Sequence, residues 1–232
     1  MITTSDFPAS FSLESLTVSN AIPERLLQQQ VHRSAHSKLK RFIDILGAIV
    51  GLAITAIIAI PIAIAIQIDN PGSIFYSQIR CGLNGKTFRI WKFRSMVVEA
   101  DRLQHLVSNQ AKGNIFKNAN DPRVTRIGRF LRRTSLDELP QFWNVLKGDM
   151  SLVGTRPPTV GEVMKYKKHH WRRLRVKPGI TGEWQANGRS SVTDFEDIVR
   201  MDVAYQYKWS VTYDLHLIFK TVWAVVNKHG AC

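Results

Sequence analysis

ILGAIVGLAITAIIAIPIAIAI, residues 45–66, is 22 residues long without a single charge, bounded by Asp44 on one side and by Gln67 and Asp69 on the other. A helix rises about 1.5 Å per residue, so this stretch can cover a bilayer core of roughly 30 Å. A soluble core helix of that length normally keeps a polar face. The segment therefore reads as a membrane segment, with a buried core helix as the competing reading. Pro61 lies three-quarters of the way along, removes a backbone donor and crowds the carbonyl of Ile57, which predicts a bend near Ile60. Lys38, Lys40 and Arg41 precede the segment, and Arg80, Lys86, Arg89, Lys92 and Arg94 follow it. Lys/Arg excess marks the cytoplasmic side, so a single crossing leaves one basic flank on the wrong side. A re-entrant helix broken at Pro61 satisfies both flanks and is preferred. A true crossing stays open, because spanning helices also tolerate proline.

The chain has 232 residues, the size of one domain with appendages, and a net charge of +14. Such a charge calls for a polyanion or an anionic surface as partner. The 44% hydrophobic content is too high for a disordered basic tail. Two distant cysteines, Cys81 and Cys232, exclude a disulfide-stapled scaffold and a Cys-based zinc module. Residues 1–37 are rich in Ser, Thr and Gln and slightly acidic. They read as a flexible N-terminal extension with a short helix near 23–31, and Met1–Ser10 lacks the basic start and apolar core of a secretory signal. The basic character belongs to the remainder; residues 123–177 carry 14 Lys/Arg against four acids and form the expected anion-facing region.

Beyond the apolar segment, IFYSQIR and TFRIWKFRS read as two strands joined at Asn84-Gly85, a hairpin turn signal. Met96–Gln110 reads as helical. In Arg123–Arg133, Val124, Ile127, Phe130 and Leu131 fall at helical spacing among five arginines, a basic amphipathic helix suited either to lipid headgroups or to a solvated face packed on the core. Further helices are expected at 138–147, 159–171, 194–209 and 213–227, with linkers at 151–158 and 177–189. The fold class is α+β: a small antiparallel hairpin or sheet, several interfacial amphipathic helices and one N-terminal re-entrant membrane helix.

P-loop, dinucleotide-binding, zincin and nucleophile-elbow motifs are absent. The seven histidines show no metal spacing, and adjacent His169 and His170 read as surface residues. The informative cluster is RRTSLDELPQ, residues 132–141, where Asp137 and Glu138 stand in an arginine-rich segment. Ser135 and Glu138 match a capping box. Pro140 argues against it, since a helix capped at Ser135 would place proline where a backbone hydrogen bond is due. The alternative is chemical: a carboxylate can attack phosphorus if Arg/Lys and a metal offset the repulsion, and a second carboxylate can hold Mg²⁺.

KRFID (40–44), the proline-bearing apolar segment, KFRSM (92–96), DPRVTRIGRFLRRTSLDELPQFWNVLKGDMSLVGTRP (121–157) and KPGITGEWQANGR (177–189) together resemble the bacterial sugar transferase family over about residues 38–232. These are monotopic phosphoglycosyl transferases. The resemblance implies that the protein works on the cytoplasmic face of a bacterial inner membrane. A UDP-sugar is attacked at its β-phosphate, UMP leaves, and polyprenyl phosphate takes the phosphosugar, which starts the assembly of a glycan such as exopolysaccharide. By position Asp137 is the nucleophile and Glu138 the Mg²⁺ ligand. Arg132 and Arg156 match arginines that bind the donor, and Lys92 and Arg94 match the KFR motif on the substrate side. Lys40, Arg41 and Pro61 belong to the membrane element. The implied division is extension 1–37, re-entrant helix 38–69 and catalytic domain 70–232, with an anionic bilayer as partner, a homodimer admitted and no nucleic acid.

Three departures stand out. Ile60 occupies a position commonly held by serine before the proline, with Thr55 the nearby hydroxyl. Thr155 replaces the first proline of a GPRP loop, which should loosen the backbone. Glu183 is unusual, although ITGEWQANGR and the C-terminal TVWAVVNKHGAC look more like the branch transferring glucose- or galactose-1-phosphate than the diacetamido-sugar branch. A non-enzymatic basic protein tethered at the membrane, binding nucleic acid or anionic lipid, is the alternative of another class.

Overall fold

In the computed structural model, which describes residues 30–188 and 192–227, the apolar segment is the middle of a 32-residue helix, α1 (Lys38–Asp69). Ser37 caps it by accepting from the Lys40 backbone N–H. Helical turns continue through Pro61, so the proline does not end the helix, and the Thr55 hydroxyl donates 2.6 Å to the Gly51 carbonyl and not to that of Ile57. The buried positions, Lys40, Asp44, Ala48, Gly51, Ile62 and Ile66, make one stripe at helical spacing. Ten large apolar side chains from Leu39 to Ile68 are 48–79% exposed. A core helix would hide them, so the buried-core reading is overturned.

The stripe docks α1 at both ends of its length. Ala48 packs with Ile90, Val145 and Met150; Ile62 and Ile66 pack with Phe93 and Leu131. At Gly51 a Cβ would lie 2.4 Å from the Phe142 ring, so the absence of a side chain there permits the contact. Polar ties reinforce each end. Lys40 Nζ pairs with Asp214 at 2.6 Å, Asp44 accepts from Ser151 Oγ and the Leu152 N–H at 2.9 Å, and Asp69 accepts from the Ile127 N–H at 2.9 Å.

The hairpin forms as expected: β1 (Phe75–Cys81) runs antiparallel to β2 (Thr87–Phe93), with Tyr76 opposite Lys92 and Gln78 opposite Ile90. Asn84 and Gly85 take positive φ at its turn. Then come α2 (Arg126–Arg133), a 3₁₀ turn at Leu136–Glu138, and α3 (Gln141–Lys147). Both expected linkers contain short strands instead. β3 (Ser151–Val153) and β4 (Gly179–Thr181) pair in parallel, and Thr155 and Pro178 form a further bridge. Thr155 is therefore not loosened: its hydroxyl donates to the Arg173 carbonyl and its own carbonyl accepts from Gly179.

α4 (Val160–Val163) is a single turn with a complete Thr159–Glu162 capping box, and the expected helix 159–171 goes no further. The chain continues to a 3₁₀ segment at His170–Arg175. α5 (Glu183–Gly188), α6 (Phe195–Lys208) and α7 (Val211–Val226) complete the fold. Residues 96–110 are not a helix. Glu99 takes a left-handed φ of 66° and the segment folds into turns with one 3₁₀ piece at Gln104–Leu106. The folded unit also reaches into the presumed extension, where the His32 N–H donates to the Arg175 carbonyl and Ser34 is buried. The helix expected near 23–31 falls almost wholly outside the described residues.

Lys40 and Arg41 are both tied into the fold. Lys40 is buried in its pair with Asp214, and Arg41 donates 2.7 and 2.6 Å to the Val145 and Leu146 carbonyls, capping the C-terminal end of α3.

Candidate active site

α2 ends at Arg133, and Ser135, left-handed at φ 57°, turns the chain back. Pro140 forces a new start, so α3 begins only at Gln141 and the two acids stand on the 3₁₀ turn between the helices. Ser135 does not cap this turn with its side chain, which rules out the capping-box reading. Leu136 and Leu139, three residues apart, pack on the Ile62, Ile66, Phe93 and Leu131 cluster. Asp137 and Glu138 line a cleft of about 1020 Å³. The same short turn thus couples the acids to the packed end of α1.

All six predicted site residues line that cleft: Lys92, Arg94, Arg132, Asp137, Glu138 and Arg156. The period-two alternation of the hairpin supplies one wall, since Tyr76, Gln78 and Arg80 on β1 share a face with Ile90 and Lys92 on β2. Lys92 Nζ donates 2.8 Å to Glu138 Oε1. Asp137 is 4% exposed. Arg132 donates from Nε to Ser95 Oγ at 2.9 Å; burial pushes its guanidinium below the ordinary arginine range, and Asp137 is the foremost charge holding it up. Arg156 lies 5.9 Å over the Trp184 ring, with Glu162 3.6 Å away. Across the lining ten Lys/Arg meet six Asp/Glu, so the cleft is cationic and suits a polyanionic ligand.

Arg94 has another task. Its guanidinium donates to the Asn70 side chain at 2.7 Å and to the Asn70 carbonyl, which fastens the chain at the end of α1. Sequence reasoning missed Asp121, which accepts from Arg123 Nη2 at 2.7 Å deep beside the cleft, and Arg80. Strand alternation from Lys92 across the Asn84-Gly85 turn puts Arg80 on the same face of the hairpin, but its place beside Arg156 depends on the distant loop at 156–159. Glu183 points to the fold: it accepts from the Tyr213 hydroxyl at 2.5 Å and pairs with Lys208 at 3.2 Å, tying α5 to α6 and α7. His170 is buried and not a surface residue. The Lys167 N–H donates to its Nδ1, so its Nε2 carries the proton that faces Glu196 Oε1 at 2.9 Å. With His169 this is a hydrogen-bonded trio that offers no free lone pair of His170 to a metal.

The model of the bacterial sugar transferase family matches residues 35–228. The chain belongs to that family. Galactosyl transferase CpsE of Streptococcus agalactiae serotype III is 52% identical over 202 residues, 86% of this chain and 45% of that protein. The UDP-glucose:undecaprenyl-phosphate glucose-1-phosphate transferase of Escherichia coli K12 is 42% identical over 218 residues, 90% of this chain and 45% of that protein. The exopolysaccharide production protein ExoY of Sinorhizobium fredii is 38% identical over 198 residues, 83% of this chain and 87% of that protein. The chain thus spans about half the length of the first two relatives and most of the third.

Proposed function

We propose that the protein transfers a hexose-1-phosphate, glucose- or galactose-1-phosphate being favoured, from a UDP-sugar to polyprenyl phosphate through a phosphosugar carried on Asp137, and that this starts glycan assembly. The observation that carries the reading is one cationic cleft that gathers both acids with Lys92, Arg132 and Arg156, against the packed end of an apolar, outward-facing helix. Relatives named for glucose- and galactose-phosphate transfer to undecaprenyl phosphate support the substrate class.

In the first half-reaction an Asp137 oxygen attacks the β-phosphorus, the bond to the bridging oxygen breaks, and its electron pair leaves with UMP. In the second, the acceptor's phosphate oxygen displaces Asp137. Arg132, next to Asp137, offsets the repulsion between carboxylate and diphosphate and stabilises charge in the transition state. The donor set fits Mg²⁺, a hard cation that takes one or two carboxylates plus substrate phosphates, and Glu138 is the side chain to hold it. The ion supplies charge neutralisation of the diphosphate when bound. Lys92 donates to Glu138 at 2.8 Å and orients it where both line the cleft.

The membrane placement follows from where α1 is tied. Its beginning bonds to Asp214, Ser151 and Leu152 and its end to Ile127, all in one folded unit, while its middle presents Ile54, Ile57 and Ile60 outward. A helix that crossed would separate those two ends by a bilayer. We therefore read α1 as dipping into the cytoplasmic leaflet and returning, with the cleft at headgroup level. The tether alternative rests on basic surface, and internal ion pairs with Asp214 and Asp202 withdraw Lys40 and Arg173 from it.

The test is turnover by detergent-solubilised protein with UDP-glucose or UDP-galactose, Mg²⁺ and undecaprenyl phosphate, read as UMP release. Asp137→Asn is expected to lower the rate by roughly 10³-fold or more, as for loss of other covalent nucleophiles. Full turnover by that variant, or absence of a labelled phosphosugar on residue 137 while product still forms, overturns the covalent route.

A further inference from the structure

One wall of the cleft holds two buried N–H groups without acceptors, on Arg80 and on Trp184. Arg80 and Arg156 both line it. They stand on backbones locked to each other: Arg80 bridges Thr159, the Cys81 N–H donates to the Pro158 carbonyl at 2.9 Å, and Arg80 Nη1 donates to the Pro157 carbonyl at 3.1 Å. Arg80 Nε is shut from solvent with no hydrogen-bond partner, and so is Trp184 Nε1, whose ring lies beneath Arg156. Arg156 repels Arg80, and burial with that repulsion lowers Arg80 to about 10, partly offset by Glu162 and Glu138. Two like charges and two orphaned donors held together are costly unless an anion joins them.

Resting on the transferase reading above, we propose that Arg80 is a substrate-contacting residue that clamps, with Arg156, the phosphate of the donor that leaves with the nucleotide. The geometry of displacement sets where such a clamp acts. The attacking carboxylate and the departing oxygen lie on opposite sides of the β-phosphorus, so the α-phosphate sits on the side away from Asp137. The Arg80–Thr159 bridge and the Arg80–Pro157 hydrogen bond hold β1 against the loop that carries Arg156, so both guanidiniums stand on one wall of the cleft. As the P–O bond breaks, the bridging oxygen becomes a terminal oxygen of UMP and gains charge. Two guanidiniums at that point accept the charge without a proton transfer.

The test is binding of UMP and of uridine to the full chain in detergent, by calorimetry. Arg80→Gln is expected to weaken UMP roughly ten- to a hundred-fold, the effect of losing a charge-assisted hydrogen bond, and to leave uridine unchanged. Arg80→Lys keeps the charge but not the fork and is expected to fall between. Wild-type UMP affinity in Arg80→Gln, or an equal loss of uridine, overturns the assignment. If Arg80→Gln fails to show a cooperative thermal transition, Arg80→Lys decides: wild-type UMP affinity in that variant overturns it. A wild-type chain that binds UMP no better than uridine overturns the transferase reading, and Arg80 with it.

Discussion

Asp137 and Glu138 are adjacent in sequence yet held by different means. Asp137 is buried, with Arg132 charge-coupled to it, while Glu138 is half-buried and bound to Lys92. Both acids were legible because they are adjacent in an arginine-rich segment, and Arg132 and Arg156 were singled out through the resemblance to the family's motifs. Arg80 was not, because its role depends on the loop at 156–159 lying beside β1, a contact between residues more than 70 positions apart. A residue-scale prediction concerns Cys81, which burial and the nearby Glu162 charge push up to about 12. Its folded-state pKa lies above the free-thiol value of about 8.5, so its contribution to stability is fully present below that value and is lost as pH rises toward 12. At pH 8 iodoacetamide should leave the Cys81 peptide unmodified in native protein and alkylate it in urea, as read by peptide mass spectrometry; rapid native alkylation would mean that β1 opens from the loop at 156–159.

Among the elements, α2 depends on close approach. A Cβ at Gly128 would lie 1.9 Å from the Ser95 carbonyl oxygen, a backbone atom that cannot step aside. Gly128→Ala is expected to lower stability by about 2–3 kcal/mol and to reduce UMP release by more than the stability loss accounts for, because Arg132 bonds Ser95 from the same helix. An unchanged unfolding midpoint would contradict that contact. α1, the hairpin, α6 and α7 were legible, since periodicity and the Asn84-Gly85 turn act locally. The three-residue parallel strands were not. Their pairing joins Ser151 to Gly179 across an intervening segment, and three residues show no periodicity. Residues 96–110 misled the reading because helix-like spacing was overridden by the left-handed Glu99 and by turn contacts.

At the scale of the molecule, α1 is both a helix long and apolar enough to cross a membrane and a strap tied at each end to the folded unit. Removing one half of its buried tie, as in Lys40→Met, leaves Asp214 with the Tyr205 hydroxyl and Trp209 Nε1 but no counter-charge, and is expected to cost about 3–5 kcal/mol in denaturant unfolding. Topology is tested with Lys38→Cys and, separately, Ser73→Cys in a chain whose Cys232 is replaced by Ser. In sealed inverted vesicles an impermeant maleimide should reach both positions from the cytoplasmic side; labelling from opposite sides would show a crossing. The sequence by itself determined that an uncharged helix is present, that a hairpin follows it and that two acids stand among arginines, because residue type and near-neighbour spacing suffice for each. Tertiary structure alone decided that both ends of α1 bind one unit, that Lys40, Arg41 and Arg94 serve the fold, and that Arg80 joins Arg156 in the cleft. Those outcomes depend on which distant side chain supplies the counter-charge or acceptor, and no local pattern encodes that choice.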